Sequence, residues 1–136
     1  MSLYRQQKTM IKDAGCLIAA LRKMGRNPVR HSTAVHLHGY KGDVRQETAE
    51  VVIPQADVGS YSNDIGFKRQ DDGTFQAIVS EYDRRTGYND AWLKRVAKTY
   101  AELKIQKIAD EQGLEFESRQ TVNGKIHVNY LVRGAR

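Results

Sequence analysis

The sequence has little of what disulfide-bonded or membrane-spanning proteins need. Its one cysteine, Cys16, cannot form an internal disulfide, and such sparse cysteine usage is typical of a reducing compartment. It has no run of about 18 apolar residues, which argues against a membrane-spanning helix. Its first ten residues lack the apolar core of a signal peptide. We therefore expect a protein of the cytosol or of a reducing organelle, with no membrane partner.

Several enzyme motifs are also absent. The sequence contains no nucleophile elbow, no Walker loop and no Gly-x-Gly-x-x-Gly fingerprint. We predict no catalytic residue and no cofactor, and the sequence favours a protein that is not an enzyme. The chain has 136 residues, of which 40% are hydrophobic and 28% charged. This predicts a single domain over residues 1–136, with frayed ends at residues 1–8 and 134–136.

The charge balance is basic. The chain carries 22 lysines and arginines against 16 aspartates and glutamates, a formal net charge of +6. A positive surplus attracts anionic partners by long-range electrostatics. The composition therefore favours RNA, DNA, a nucleotide or an acidic protein as the partner.

Two glycine turns predict β-hairpins with defined registers. In the first, a three-residue loop, Asp71-Asp72-Gly73, would pair Phe67 with Ala77 and leave Gly73 in a left-handed conformation. In the second, an odd loop of Val122-Asn123-Gly124 would pair Phe116 with Tyr130. Both registers place the large apolar side chains of each hairpin on one face.

Apolar periodicity predicts two helices, one from Met10 to Met24 with Thr9 as N-cap and Gly25 after its end, and one from about Asp90 to Gln112. Trp92 and Tyr100 lie on the apolar stripe of the second helix, which indicates a core position. Further strands are predicted over Ala34–Tyr40 and Glu50–Ile53. The fold class is α+β, in the order α-β-β-β-β-α-β-β: an antiparallel sheet of about six strands with both helices on one face and a more polar opposite face.

The strongest anion-binding candidate in the sequence combines basic residues with tyrosines. Guanidinium groups hold phosphate through paired hydrogen bonds, and tyrosine rings stack on bases. A solvated loop is the more usual interpretation of such a segment, because charge clusters usually mark exposed surface and nearby aspartates weaken the positive field. The candidate residues are Lys68, Arg69, Tyr82, Arg84, Arg85 and Tyr88, and the helix face with Lys94, Arg95 and Lys98 is a second candidate.

Two groups of potential metal ligands are weaker candidates. His36 and His38 share one face of a predicted strand, and His31 with Cys16 could join them around zinc, but the spacing is permissive and favours hydrogen-bonded or solvated histidines. Three carboxylates near the first hairpin could hold Mg²⁺ in a hydrolase, but a hydrated sheet edge is the favoured interpretation, because the sequence supplies no nucleophile or base for a catalytic site. These carboxylates belong to Asp64, Glu81 and Asp83.

A series of short motifs runs along the chain: Ile11-Lys12-Asp13, Leu21-Arg22-Lys23-Met24-Gly25, Gly39-Tyr40-Lys41-Gly42, Asn63-Asp64-Ile65-Gly66-Phe67, Tyr100 and Gly113-Leu114-Glu115-Phe116. Their order resembles a family of small proteins of unknown function from cyanobacteria, red-algal plastid genomes and some phages, known there as a conserved hypothetical plastid reading frame. The basic segment Asp83-Arg84-Arg85-Thr86 departs from the family pattern. The resemblance implies a compact domain in a cytosolic, plastid-stromal or phage-infected-cell setting, and no established activity.

Gly66 leaves one face of its strand bare, so a ligand or a partner could approach there, beside His36 and His38. Together these features favour a small binding protein that holds nucleic acid or a nucleotide. Two other functions stay open: a protein–protein adaptor or phage accessory factor that docks on a host complex through an edge strand, and a metal-dependent hydrolase. A homo-oligomer is also compatible with the sequence.

Overall fold

The computed structural model describes residues 2–132, without the side chains of residues 114–118 and 130–132. Its contacts divide the chain into two compact units, residues 1–100 and 101–136. None of the helices in the described part is long and apolar enough to cross a membrane. The elements are β1 (Tyr4–Lys8), α1 (Ala14–Lys23), β2 (Val29–His38), β3 (Val44–Ile53), α2 (Gln55–Val58), β4 (Ile65–Arg69), β5 (Phe75–Ser80), α3 (Glu81–Arg85), α4 (Asp90–Glu111), β6 (Leu114–Val122) and β7 (Lys125–Val132).

The first unit contains a five-stranded antiparallel sheet in the order β1-β5-β4-β3-β2. The predicted α+β class and antiparallel pairing are confirmed. The expectation that residues 1–8 are frayed is wrong for Tyr4–Lys8, because this segment pairs with β5 along its whole length, from Tyr4 with Ser80 to Lys8 with Gln76. β6 and β7 form a separate two-stranded sheet.

The first hairpin has the predicted register. Phe67 pairs with Ala77, and the backbone amide of Gln70 donates to the carbonyl of Thr74 over 2.7 Å, which leaves a three-residue loop. Gly73 has a φ of +87°, in the left-handed region that glycine adopts without strain. Five apolar side chains of the two strands consequently lie in one buried cluster: Ile65, Phe67, Phe75, Ala77 and Val79.

The second hairpin has the predicted pairing of Phe116 with Tyr130 but a different loop. Val122 pairs with Lys125, so the loop is the two residues Asn123 and Gly124, both with positive φ (51° and 75°). The expected three-residue loop is wrong because this two-residue turn matches the twist of the strands. A register shift between Phe116 and Ser118 supplies the extra residue within β6 instead.

α1 begins later than the periodicity predicts. Its N-cap is Asp13, whose Oδ1 accepts from the amide of Cys16 over 3.0 Å, and not Thr9. Thr9 instead donates its hydroxyl to the carbonyl of Phe75. The predicted end is confirmed, since Gly25 follows the helix with a φ of +86° and the amide of Arg26 donates back to Leu21.

The core of the first unit lies between the sheet and the helices. α1 and the first turns of α4 contribute Leu17, Leu21, Trp92 and Val96, all buried, as predicted for Trp92. The opposite face of the sheet is less polar than expected. It carries a second buried cluster of four residues: Leu37, Ala49, Val52 and Ile78.

Candidate functional site

Four of the predicted anion-binding residues are held in contacts within the protein. The Arg84 guanidinium contacts Gln7 Oε1 and lies 3.0 Å from the carboxylate of Asp90. Arg69 donates to the backbone carbonyls of Lys12 and Gly73 and lies over the ring of Phe75. The Arg84 guanidinium therefore links β1 to the start of α4, and the Arg69 guanidinium links β4 to the loops before α1 and β5.

Lys68 and Tyr88 are engaged in the same way. The Lys68 ammonium donates to Thr48 Oγ1 over 2.6 Å on the surface of the sheet. The Tyr88 hydroxyl donates to the carbonyl of Val58, and its ring packs against Trp92 with centroids 5.0 Å apart. The structure does not bring these four residues into one patch with Tyr82 and Arg85.

Tyr82 and Arg85 line a cleft of about 470 Å³ that also contains aromatic residues from two distant loops. Tyr40 follows β2, and Tyr61 precedes β4. Their rings contact edge to face, with centroids 6.4 Å apart and planes at 67°. We call this site the tyrosine cleft, lined by Ser2, Tyr40, Tyr61, Asn63, Tyr82 and Arg85.

A buried polar network links the two walls of the tyrosine cleft. Asn63 Oδ1 accepts from the backbone amide of Tyr40 over 3.2 Å. Asn63 Nδ2 donates to Ser80 Oγ over 3.0 Å and to the carboxylate of Asp83 over 3.3 Å. Ser80 is the N-cap of α3, the helix that carries Tyr82 and Arg85. The Asn63 amide therefore joins the Tyr40 loop to α3.

The polar groups at the mouth of the tyrosine cleft are open to solvent. Tyr61 is 70% exposed and Tyr40 is 46% exposed. The side chain of Arg85 is exposed and makes no hydrogen bond or ion pair with another described residue. The ammonium of Lys41 lies 5.6 Å from the centre of the Tyr40 ring. The cleft thus combines stacking surfaces with an unpaired guanidinium and a nearby ammonium.

The three carboxylates do not form a metal site. The Asp64 carboxylate accepts hydrogen bonds from the backbone amides of His38 and Gln55, each over 2.7 Å. The Asp83 carboxylate accepts hydrogen bonds from the backbone amide of Asn63 and the hydroxyl of Ser80. Glu81 lies apart, 3.9 Å from Arg5. Throughout residues 2–132, as far as they are described, no three His, Cys, Asp or Glu residues are placed to hold a metal ion.

The histidines gather at a second and larger cleft. His31, His36 and His38 line a cleft of about 770 Å³ with Asp64 and several valines. Cys16 does not join them, because it is buried in α1. We call this site the histidine cleft, lined by Val29, His31, Val35, His36, His38, Gly39, Gly42, Val44, Val52, Pro54, Gln55, Ala56 and Asp64.

Gly66 is approached closely, but by the sheet itself. The residue is buried, and a Cβ added to it would lie 2.7 Å from Ala49 Cβ and 3.0 Å from Leu37 Cδ2. The chain's own Leu37 and Ala49 therefore occupy the space where we expected a ligand or a partner.

Sequence reasoning identified two of the four tyrosine and arginine residues that line the tyrosine cleft. Tyr82 and Arg85 were predicted from a charge cluster, whereas Tyr40 and Tyr61 were not predicted to join them. A usable signal exists in hindsight, since both tyrosines sit in polar, glycine-flanked loops, where a large aromatic side chain has little core to enter.

Comparison with known proteins supports the family resemblance. No curated protein and no solved structure matches the chain at a significant level. A family model described as protein of unknown function, DUF1257, matches residues 20–128. The match covers more than half of the sequence and includes Tyr40, Tyr61, Tyr82 and Arg85. The chain therefore belongs to the DUF1257 family of proteins of unknown function.

Proposed function

We propose that the protein is a non-enzymatic binding protein that holds single-stranded nucleic acid, or a nucleotide, in the tyrosine cleft. The observation that carries this proposal is the convergence of three tyrosines with the unpaired guanidinium of Arg85. Aromatic side chains stack on bases of any sequence, and guanidinium groups bind phosphate through paired hydrogen bonds. The cleft volume of about 470 Å³ lies within the range of small-ligand sites.

Charge supports the same partner. The net charge of +6 favours the approach of a polyanion. Lys41 stands beside the ring of Tyr40, where it can contact a second phosphate. Tyr61 is the most exposed ring of the cleft, so it is the first stacking surface that an incoming base meets.

Fluorescence anisotropy with a labelled oligo(U) or oligo(dT) strand tests the proposal. Affinity should fall as salt rises, with a log–log slope of about 0.7 for each phosphate contacted. Arg85→Gln should remove about one phosphate contact and so lower the slope by about 0.7. Arg22→Gln is the matched control, since Arg22 is exposed in the last turn of α1, outside the cleft, and should leave the slope unchanged.

Stacking is tested separately from charge. Tyr61→Ala should weaken binding by about 1–3 kcal/mol, the usual loss for one base stacked on an aromatic ring, whereas Tyr61→Phe keeps the stacking surface and should bind nearly as wild type. Absence of binding at low salt, or equal losses for Arg22→Gln and Arg85→Gln, would contradict the proposal.

An adaptor function is the second proposal. The ten-residue β2 is an edge strand of the sheet, and edge strands can accept a strand from a partner. Its register breaks reduce the length of regular backbone that it offers. A pulldown that recovers a stoichiometric protein partner, lost on a proline substitution at Ala34 in β2, would favour this function over nucleic-acid binding.

A hydrolase function receives no support from Asp64, because both of its carboxylate oxygens are bonded to backbone amides. The cyanobacterial, plastid or phage origin and the corresponding compartment stay predictions from the resemblance. That the partner is RNA, DNA or a nucleotide, and that the protein forms a homo-oligomer, are likewise proposals.

A further inference from the structure

Two breaks in the pairing of β2 bring side chains from both of its faces to the histidine cleft. In a regular strand, His31 would face one way and His36 and His38 the other, yet all three line this cleft. The register of β2 with β3 shifts between Arg30 and Val35, and again between His36 and His38. Such irregularities re-aim side chains and are common beside functional sites.

The walls of the histidine cleft are largely apolar, and part of this apolar surface is exposed. Val44 is 67% exposed and Val29 is 45% exposed, and Val35, Val52 and Pro54 complete the wall. The volume of about 770 Å³ lies within the range of sites for small organic molecules. A ligand with an apolar body would remove this surface from water, which is favourable.

The charged wall of the histidine cleft is negative. Asp64 lines the cleft, and none of the described lining residues is a lysine or an arginine. Within the described part of the chain, the ion-pair partner of this carboxylate is His38, at 3.5 Å. Its oxygens accept from two backbone amides, and each carboxylate oxygen can accept a further hydrogen bond. The wall therefore attracts a positively charged group that carries N–H donors.

Two neighbouring basic side chains are engaged away from Asp64. The Lys41 ammonium lies 5.6 Å from the centre of the Tyr40 ring, in the tyrosine cleft. The buried guanidinium of Arg45 lies 4.0 Å from the carboxylate of Asp43, so it balances the charge of Asp43. Neither cation neutralises the carboxylate that lines the histidine cleft.

The imidazoles add hydrogen-bond acceptors to the same cleft. His36 Nδ1 lies 2.8 Å from the backbone carbonyl oxygen of Arg45. Because a carbonyl oxygen only accepts, Nδ1 carries the proton, and Nε2 of the neutral ring is an acceptor. The carboxylate of Asp64 beside Nδ1 of His38 favours the same tautomer in that ring. Neutral imidazoles therefore present acceptors, and no protonation of a histidine is needed for recognition.

We propose that the histidine cleft binds a small amphipathic amine, whose apolar body lies on Val29, Val44 and Val52 and whose ammonium head contacts Asp64 and His36. An ammonium group has three N–H donors and no acceptor, which matches a wall of acceptors around a carboxylate. A bare metal ion does not match the described residues, because no three His, Cys, Asp or Glu side chains are placed to hold one. The site is separate from the tyrosine cleft, so the nucleic-acid experiments do not decide it.

Nuclear magnetic resonance of the imidazole signals tests the proposal on the full chain. The protein has four histidines, of which three line the cleft and the fourth, His127, lies in β7. Decylammonium chloride is added below its micelle concentration at about pH 8, where imidazoles are in general neutral and a primary ammonium stays charged, as lysine does. It should shift the signals of His31, His36 and His38 in a saturable way and leave His127 unchanged.

Two ligands with the same body and a different head group separate recognition from adsorption. Decanol, which is neutral, should bind several-fold more weakly than decylammonium, and decanoate should bind most weakly of the three. Non-specific adsorption on a protein with a net charge of +6 would favour decanoate instead. The expected order of affinities therefore cannot arise from the overall charge of the protein.

Variants separate the acceptor, the charge and the apolar wall. His36→Leu, at an exposed position, should weaken decylammonium binding about tenfold, the usual effect of a lost hydrogen bond to a charged group, and change decanol binding less. Asp64→Asn should bring the affinities for decylammonium and decanol closer together, a ratio that reports on the head group even if this variant is less stable. Val44→Ser should weaken both ligands several-fold. Arg22→Gln, on the exposed side of α1, should change neither.

Three results would overturn the proposal. One is the absence of any shift of the cleft imidazoles at millimolar decylammonium. Another is an equal shift of His127, which would mean non-specific adsorption. The third is an affinity for decanol or decanoate equal to that for decylammonium, which would show that the cleft does not recognise the ammonium head.

Discussion

A Cβ on Gly66 would lie 3.0 Å from Cδ2 of Leu37 in the neighbouring part of the sheet. The same position is 2.7 Å from Cβ of Ala49 in β3, an atom that can move only together with the backbone of that strand. Leu37 and Ala49 are both fully buried. Gly66 is thus required by close packing of the second buried cluster, and this requirement has measurable consequences.

Gly66→Ala should lower the free energy of unfolding by about 1–3 kcal/mol, because overpacking forces neighbouring side chains and backbone to move. Urea denaturation followed by circular dichroism measures this change. Ala49→Gly combined with Gly66→Ala removes the nearer contact and should recover part of the loss. A Gly66→Ala variant as stable as the wild type would show that the sheet accommodates the methyl group.

Asn63 should matter for stability as well as for binding. Its buried side-chain amide forms hydrogen bonds with Tyr40, Ser80 and Asp83. Asn63→Ala therefore removes one hydrogen-bond donor from the buried carboxylate of Asp83. We expect a loss of about 1–3 kcal/mol in the free energy of unfolding, and weaker nucleic-acid binding because Tyr40 and α3 are no longer linked.

Asn27→Ala is the matched control for Asn63→Ala. The Asn27 side chain bonds to Asp57 at an exposed position, where solvent replaces a lost partner, so its loss should stay below about 0.5 kcal/mol. Equal destabilisation by the two substitutions in thermal or urea unfolding would argue against a special role for the Asn63 network.

The stability of the protein should decline in alkali because of Tyr4. Burial, together with the negative charge of Asp64, raises the pKa of the Tyr4 hydroxyl above its ordinary value. The unfolded chain ionises this tyrosine near pH 10 while the folded chain keeps it neutral. The contribution of Tyr4 to the free energy of unfolding is therefore complete below about pH 10. Above that pH it is lost by up to about 1.4 kcal/mol per pH unit.

Tyr4→Phe isolates this effect. The variant loses the hydrogen bond from the Tyr4 hydroxyl to the carbonyl of Asp64, 2.8 Å long, which should cost about 0.5–1.5 kcal/mol at neutral pH. Above about pH 10 its free energy of unfolding should fall less steeply than that of the wild type. Tyr61→Phe, at a site 70% exposed, should keep the wild-type slope. Identical slopes in all three proteins would contradict the assignment.

Local chemistry was sufficient for the first hairpin. Asp72 and Gly73 restrict the loop, and the apolar alternation of β4 and β5 admits one register, so Phe67 pairs with Ala77 as predicted. In the second hairpin, the alternation of apolar and polar residues does not fix the length of the loop. A three-residue loop, or a two-residue loop with a bulge, gives the same pairing of Phe116 with Tyr130, and sequence alternation does not distinguish them.

β1 was missed for a different reason. Its sequence, Tyr-Arg-Gln-Gln-Lys, has no apolar alternation, so nothing local marks it as a strand. It forms because β5 leaves an unpaired edge and because Tyr4 reaches across the sheet to Asp64. Edge pairing of this kind is decided by the partner strand.

The sequence by itself determined the α+β class, the turn at Gly73 and the end of α1 at Gly25, since these depend on side-chain alternation and on the backbone freedom of glycine within a few residues. Only the tertiary structure decided that Arg84 pairs with Asp90 while the Arg85 side chain has no partner among the described residues, that Tyr40 and Tyr61 meet, and that His31 joins His36. Those relationships depend on strand pairing, register breaks and a buried amide that connect residues far apart in the chain, and no local pattern records them.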